Sequence, residues 1–281
     1  MTRLATVVVD GATRAAVIGD GVAELLAYTD LRGVLVAVEQ GTPVGRLPRV
    51  GERDLAGTVF APPVPRPDKI VCVGLNYYAH AAEADLPIPG HPLLFPKYPD
   101  ALIGAADDVY MPPESERVDW EAELAFVIGR TVRRLAPQDA WSAIAGYTVM
   151  NDITMRDWQK HTSQMMPGKI FEHSTPIGPW LVEPQEVDHG RDLRLVCRVD
   201  GEVRQDARTS DMIFDAGRVL SYISHVTTLY PGDTVALGTP MGVGSVRKPP
   251  VFLEPGQVVT TEIEGIGTLR NLCVRERVAQ S

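Results

Sequence analysis

Apolar and polar positions alternate with a period of two along most of this chain, which predicts strands far more often than helices. Residues 4–10 and 15–20 alternate on either side of Gly11-Ala12-Thr13-Arg14 and predict a hairpin. Asp30 stands where it would cap a helix over 31–39, stopped by Gly41 and Pro43. Prolines then crowd residues 46–68 with little periodicity, which predicts a linker or covering segment and a domain boundary near Pro67. Beyond it, 69–75 reads as a buried strand and 76–84 as a helix. Residues 85–92 form a Pro- and Gly-rich tether, suited to a lid or to a plain surface loop. Further on, the pattern predicts a helix over 137–145, a strand over 147–154 and one helical turn over 155–160. A hairpin is expected around Asp200-Gly201, a helix over 211–226 capped by Ser210, and two closing strands over 257–263 and 267–274. Regular βα alternation is missing. The fold class expected is therefore α+β and mostly β, with residues 1–67 a small N-terminal domain plus linker and 68–281 the main domain.

The most informative stretch runs from Val118 to Gly129. One face would carry Val118, Trp120, Ala122, Leu124, Phe126 and Ile128; the other begins Asp119, Glu121, Glu123 and turns apolar at Ala125 and Val127. Taken alone, this reads as a half-buried strand with two solvated glutamates. The other reading is that the two carboxylates converge on a hard divalent cation.

Composition narrows the setting. A formal charge of −9 argues against a nucleic-acid partner, though not against a local cationic pocket. The three cysteines, Cys72, Cys197 and Cys273, form no C-x-x-C pair and fit reduced, buried thiols. Met1-Thr2-Arg3 leads into an alternating strand rather than an apolar leader core, and no apolar run approaches a membrane span. A soluble, cytoplasmic protein without a membrane partner is expected.

No G-x-S-x-G elbow, H-E-x-x-H pair or EF-hand loop is present, and the glycine-rich 238–244 loop lacks the Gly-Lys-Ser/Thr ending of a phosphate loop. That loop could still present N–H groups to a carboxylate. What remains is a scatter of polar residues at strand ends: Glu121 and Glu123, Asp152, His80 with Glu83, Lys169, and Arg156 with Gln159. Each by itself is compatible with a solvated surface position.

Their order resembles that of the fumarylacetoacetate hydrolase family. The likeness runs from about Lys69 to the C-terminus through Gly74-Leu75-Asn76-Tyr77, His80-Ala-x-Glu83, Asp119-x-Glu121-x-Glu123, Asn151-Asp152-x-x-x-Arg156-Asp157-x-Gln159, Gly168-Lys169 and Gly238-Thr239-Pro-x-Gly-Val-Gly. The resemblance implies a rolled mixed-sheet core and a homodimer. It also implies a cation, usually Mg²⁺ and sometimes Mn²⁺ or Ca²⁺, held by Glu121, Glu123 and Asp152. His80 and Glu83 correspond to a water-activating dyad and Lys169 to the active-site lysine, with Arg156, Gln159 and Thr239 near a 2-oxo acid substrate. Ala79 and Glu172 depart from the family's usual residues, where substrate preference would be set.

On that basis the expected reaction is metal-dependent hydrolysis of a C–C bond in an acylpyruvate or related 2,4-dioxo acid. A cation stabilising charge on the keto oxygen would make a pyruvate enolate a viable leaving group, Lys169 would stabilise charge on the other carbonyl, and His80 would activate water. The alternatives in the same class are oxaloacetate decarboxylation and isomerisation or dehydration of a 2-oxo acid. A non-catalytic ligand-binding homologue is the alternative from another class.

Overall fold

The structure, a computed structural model, describes residues 3–277. Its strands form one twelve-stranded mixed sheet, a five-stranded sheet and a two-stranded ribbon. Most pairings are antiparallel. The Thr234–Ala236 strand, however, runs parallel to Ile70–Gly74, and Gly267–Arg275 runs parallel to Val109–Met111. The mostly-β α+β prediction matches this architecture.

The N-terminal hairpins extend the large sheet instead of standing apart from it: Arg3 faces Val182 and Leu4 faces Leu181 across an antiparallel pair. The helix Leu31–Glu39 is capped as expected, with Asp30 accepting from the N–H groups of Arg32 and Gly33. It buries Leu31, Val34 and Leu35 against Val127 and Leu181 of the main sheet.

The described residues depart from the expected elements in several places. Within the proline-crowded segment, Arg49–Asp54 is a strand at the edge of the large sheet with every side chain exposed. A strand that buries neither face carries no apolar alternation to read. The helix expected to begin at Asn76 begins at Tyr78. The Asn76 side chain instead bridges backbones, donating to Phe214 and Leu237 carbonyls and accepting from the Phe214 N–H. The 137–145 helix is a short turn, Pro137–Ala140, tightened over Trp141–Ala143, because Ile144 already belongs to the next strand. The later helix spans Ala216–Val226, and its cap is Asp215, not Ser210; Asp215 accepts from the Arg218 N–H at 2.8 Å.

The Val118–Gly129 stretch is broken into Val118–Asp119, which pairs with Thr154–Met155, and Ala122–Ile128, which is buried on both faces. Ala122–Ile128 pairs antiparallel with Thr234–Ala236 on one side and with Ile144–Asn151 on the other, where Ala122 stands opposite Asn151. This register alone sets Asp152 beside Glu121. The Asp152 N–H donates to the Glu121 carbonyl at 2.8 Å, and the Asn151 side chain accepts the Glu121 N–H at 2.9 Å where the ladder opens.

Candidate metal centre and cavity

Glu121 and Glu123 lie two residues apart, and Asp152 sits across the strand pair, so all three side chains leave the sheet on one side. One oxygen from each lies within 4.8 Å of the others, and all three residues are buried.

Three cations surround the group. Lys169 Nζ lies 2.5 Å from Glu121 Oε2 and 2.8 Å from Asp152 Oδ2. Lys97 Nζ lies 2.7 Å from Asp152 Oδ1 and also donates to the Lys169 carbonyl. Arg156 is engaged through all three nitrogens: Nη2 with Glu121 Oε1 at 2.6 Å, Nε with Asp119 Oδ2 at 2.8 Å and Nη1 with Gln159 Oε1 at 3.0 Å.

The electrostatic consequences differ within the cluster. Burial pushes the Glu121 and Asp152 carboxyls up, but the adjacent cations more than reverse this, and both end below the ordinary range. Burial also works against the charged Lys169, yet Asp152 and Glu121 outweigh it and hold the ammonium protonated. Glu123 behaves oppositely. Burial, then repulsion from Asp152 and Glu121, pushes its carboxyl well up. Its Oε2 accepts the Gly238 N–H at 2.8 Å, and among the described residues no cation pairs with it. Counting Asp119, four carboxylates meet three protein cations. Glu123 is the carboxyl left without a cationic partner, so it ionises at little cost only if a further cation joins the group. An all-oxygen donor set with one carboxyl short of a counter-charge fits a hard divalent cation.

Around this cluster lies a cavity of about 550 Å³. His80, Glu121, Glu123, Arg156, Gln159, Lys169 and Thr239 line it, so the residues singled out from sequence gather at one place; Asp152 and Glu83 stand directly behind it. His80 Nδ1 lies 2.7 Å from Glu83 Oε1, and both Glu83 oxygens accept the Gly242 N–H. With a carboxylate on Nδ1, that nitrogen carries the proton and Nε2 is left as the basic position. Ala79 and Glu172 are exposed and line no part of this cavity, which moves preference-setting elsewhere.

The glycine-rich loop does present N–H groups to carboxylates, and those carboxylates are the protein's own. Gly238 donates to Glu123, Gly242 to Glu83, and Gly244 and Ser245 to Asp119. Gly244 must be glycine: a Cβ there would lie 1.9 Å from the Val251 carbonyl oxygen and 2.8 Å from Asp119 Oδ1. Gly168 has a comparable constraint. Its Cβ would meet the Gln159 nitrogen and the Met155 oxygen at 2.5 Å, so only glycine lets the chain pass the Arg156–Gln159 turn and deliver Lys169.

Lys97 and Gln205 were not singled out from sequence, and Asp119 was given no role there. Buried Gln205 accepts the Ala122 N–H, between the two glutamates, and donates to Thr239 Oγ1 at 2.8 Å and the Pro240 carbonyl. Only for Asp119 was there a usable signal, its place on the acidic face.

Residues 69–274 match the family described as fumarylacetoacetate (FAA) hydrolase, C-terminal. The chain belongs to the fumarylacetoacetate hydrolase family. Among its relatives, the mitochondrial oxaloacetate tautomerase FAHD2A of Bos taurus is 45% identical over 217 residues, covering 76% of this chain and 69% of the relative. The human protein of that name is 44% identical over the same length and shares. Among solved structures, a fumarylacetoacetate hydrolase from Exiguobacterium antarcticum is 33% identical with a TM-score of 0.86, covering 98% of this chain and all of that one. A 2-hydroxyhepta-2,4-diene-1,7-dioate isomerase from Mycobacterium marinum is 34% identical with a TM-score of 0.81, covering 99% of this chain and 100% of that one. Family members are thus enzymes, and the names of these relatives, a tautomerase and an isomerase, favour the isomerase-type alternative over acylpyruvate hydrolysis. No helix among the described residues is long and apolar enough to cross a membrane.

Proposed function

We propose that this protein catalyses proton transfer beside the keto group of a 2-oxo acid, a keto–enol tautomerisation of the oxaloacetate type. The observation that carries the reading is the His80–Glu83 dyad, fixed by the Gly242 N–H and opening on the same cavity as Glu121 and Glu123. Glu121, Glu123 and Asp152 would hold the divalent cation, Mg²⁺ by preference, with Mn²⁺ or Ca²⁺ fitting the same oxygens. That cation supplies Lewis-acid stabilisation of negative charge on the keto oxygen.

The chain's own groups do the rest. Glu83 holds the His80 ring with Nε2 free. His80 Nε2 removes a proton from the carbon next to the keto group, the C–H pair becomes the C=C bond, and the carbonyl pair moves to oxygen. The imidazolium returns its proton to that oxygen, giving the enol; the reverse sequence gives the ketone. Lys169 and Lys97 hold Glu121 and Asp152 ionised and in place. Thr239, whose oxygen already accepts from Gln205, keeps its own proton to donate to the substrate carboxylate. The chemistry belongs to residues 68–281, with 1–67 a small N-terminal domain and linker. A cytoplasmic homodimer completes the reading.

The test is the decay of enol-oxaloacetate, followed by ultraviolet absorbance with Mg²⁺ and then with EDTA. Metal-dependent acceleration without CO₂ release is expected; CO₂ release would turn the reading to decarboxylation. No acceleration would sink it.

C–C hydrolysis of an acylpyruvate is the second reading, favoured by the same dyad, since Nε2 could equally take a proton from water. Acylpyruvate cleavage without enol exchange would establish it. A non-catalytic homologue is disfavoured, because all of His80, Glu83, Lys169 and the three carboxylates are intact.

A further inference from the structure

The cations at the cavity are unequally committed. Lys169 is held between Glu121 and Asp152, and each nitrogen of Arg156 already faces a protein oxygen. Neither is free to turn toward the far end of a bound molecule without breaking a buried ion pair. Lys97 does not line the cavity. Lys160 differs from all three: it lines the cavity, is exposed, and its ammonium has no hydrogen bond or ion pair among the described residues, only its backbone N–H being engaged, with the Asp157 carbonyl. It closes the Arg156–Gln159 turn, so it stands four residues from Arg156 on the same side, with about 6 Å of helical rise between them. Thr162, Met165 and Leu86, which also line the cavity, are neutral. The lining carboxylates, Glu121 and Glu123, belong to the inner end.

We propose that Lys160 receives the distal carboxylate of the substrate and so makes this site selective for 2-oxo dicarboxylates over 2-oxo acids with an uncharged tail. This rests on the reading above in placing the 2-oxo end at the carboxylate cluster. A carboxylate entering the cavity loses part of its water, and the one uncommitted ammonium on the wall replaces it. An alkyl tail gains nothing from that ammonium.

The experiment is calorimetric titration of the full chain in excess Mg²⁺ with 2-oxoglutarate and with 2-oxovalerate, two stable probes that differ in the charge of the far end. The wild type is expected to prefer 2-oxoglutarate. Lys160→Met should weaken 2-oxoglutarate by about threefold to fivefold and change 2-oxovalerate by less than about 1.5-fold, and Lys160→Arg should restore most of the loss. Equal weakening of both probes, no change in either, or a wild type without preference would overturn the assignment. Because the readout is binding, it is separate from the enol assay: charge selectivity that depends on Lys160, with no enol exchange, would leave this inference standing and remove the tautomerase reading.

Discussion

The inner end of the cavity and its mouth are built by opposite means. Inside, Glu121 and Asp152 share Lys169, Lys97 and Arg156 among them, with almost no surface exposed, so no side chain can move without stranding a charge. At the mouth, Lys160 and Leu86 are exposed, and the tether after the short helix Tyr78–Glu83 has no regular structure. Buried ion pairs are costly to break and therefore rigid, whereas exposed groups are weakly held and cheap to exchange. The rigid end fixes what chemistry is available, and the loose end sets which molecule receives it.

Within the inner end there is a second contrast, between Asp152, which has two lysines, and Glu123, which has none. Replacing Glu123 by Ala should abolish the heat of Mg²⁺ binding and all metal-dependent turnover, while the metal-free protein melts no lower than the wild type. Asp152→Ala should lose the metal too, but it leaves Lys97 buried without a carboxylate and Lys169 with Glu121 alone, and should cost about 3–5 kcal/mol in denaturant unfolding. Equal melting of the two variants would break the distinction. Next in size, His80→Ala should keep Mg²⁺ binding and lower kcat by about 10²–10⁴. Full activity in that variant would remove His80 from the proton path. Gly244→Ala forces the loop away from Val251 and Asp119, and a destabilisation of about 3 kcal/mol by calorimetric melting is expected. The smallest effect belongs outside the cavity: Glu172→Ala should leave stability within about 0.5 kcal/mol and substrate preference unchanged.

Much of the site was legible because its spacing is local. Glu121 and Glu123 are two apart in extended chain at the start of the strand Ala122–Ile128, His80 and Glu83 three apart on a helix, and Arg156 and Gln159 three apart on a turn. Each pair is brought together by the period of its own element. Lys97 and Gln205 were not legible. Lys97 lies 55 residues from Asp152, and Gln205 lies 83 from Ala122. Nothing near either in sequence marks it as a partner. The edge strand Arg49–Asp54 was missed for another reason, since it buries no face and so leaves no pattern.

By itself, then, the sequence determined the β-rich class, the Asp30-capped helix, the acidic strand and the set of residues that now line one cavity. Only the tertiary structure decided that Asp152 stands beside Glu121, through the register that pairs Ala122 with Asn151. It likewise decided that the glycine loop serves three of the protein's own carboxylates, that Arg156 is committed and that Lys160 is free. Local periodicity fixes which way a side chain points. Which charges neutralise one another depends on strand pairing between distant segments, and that is settled only when the whole sheet has closed on its core.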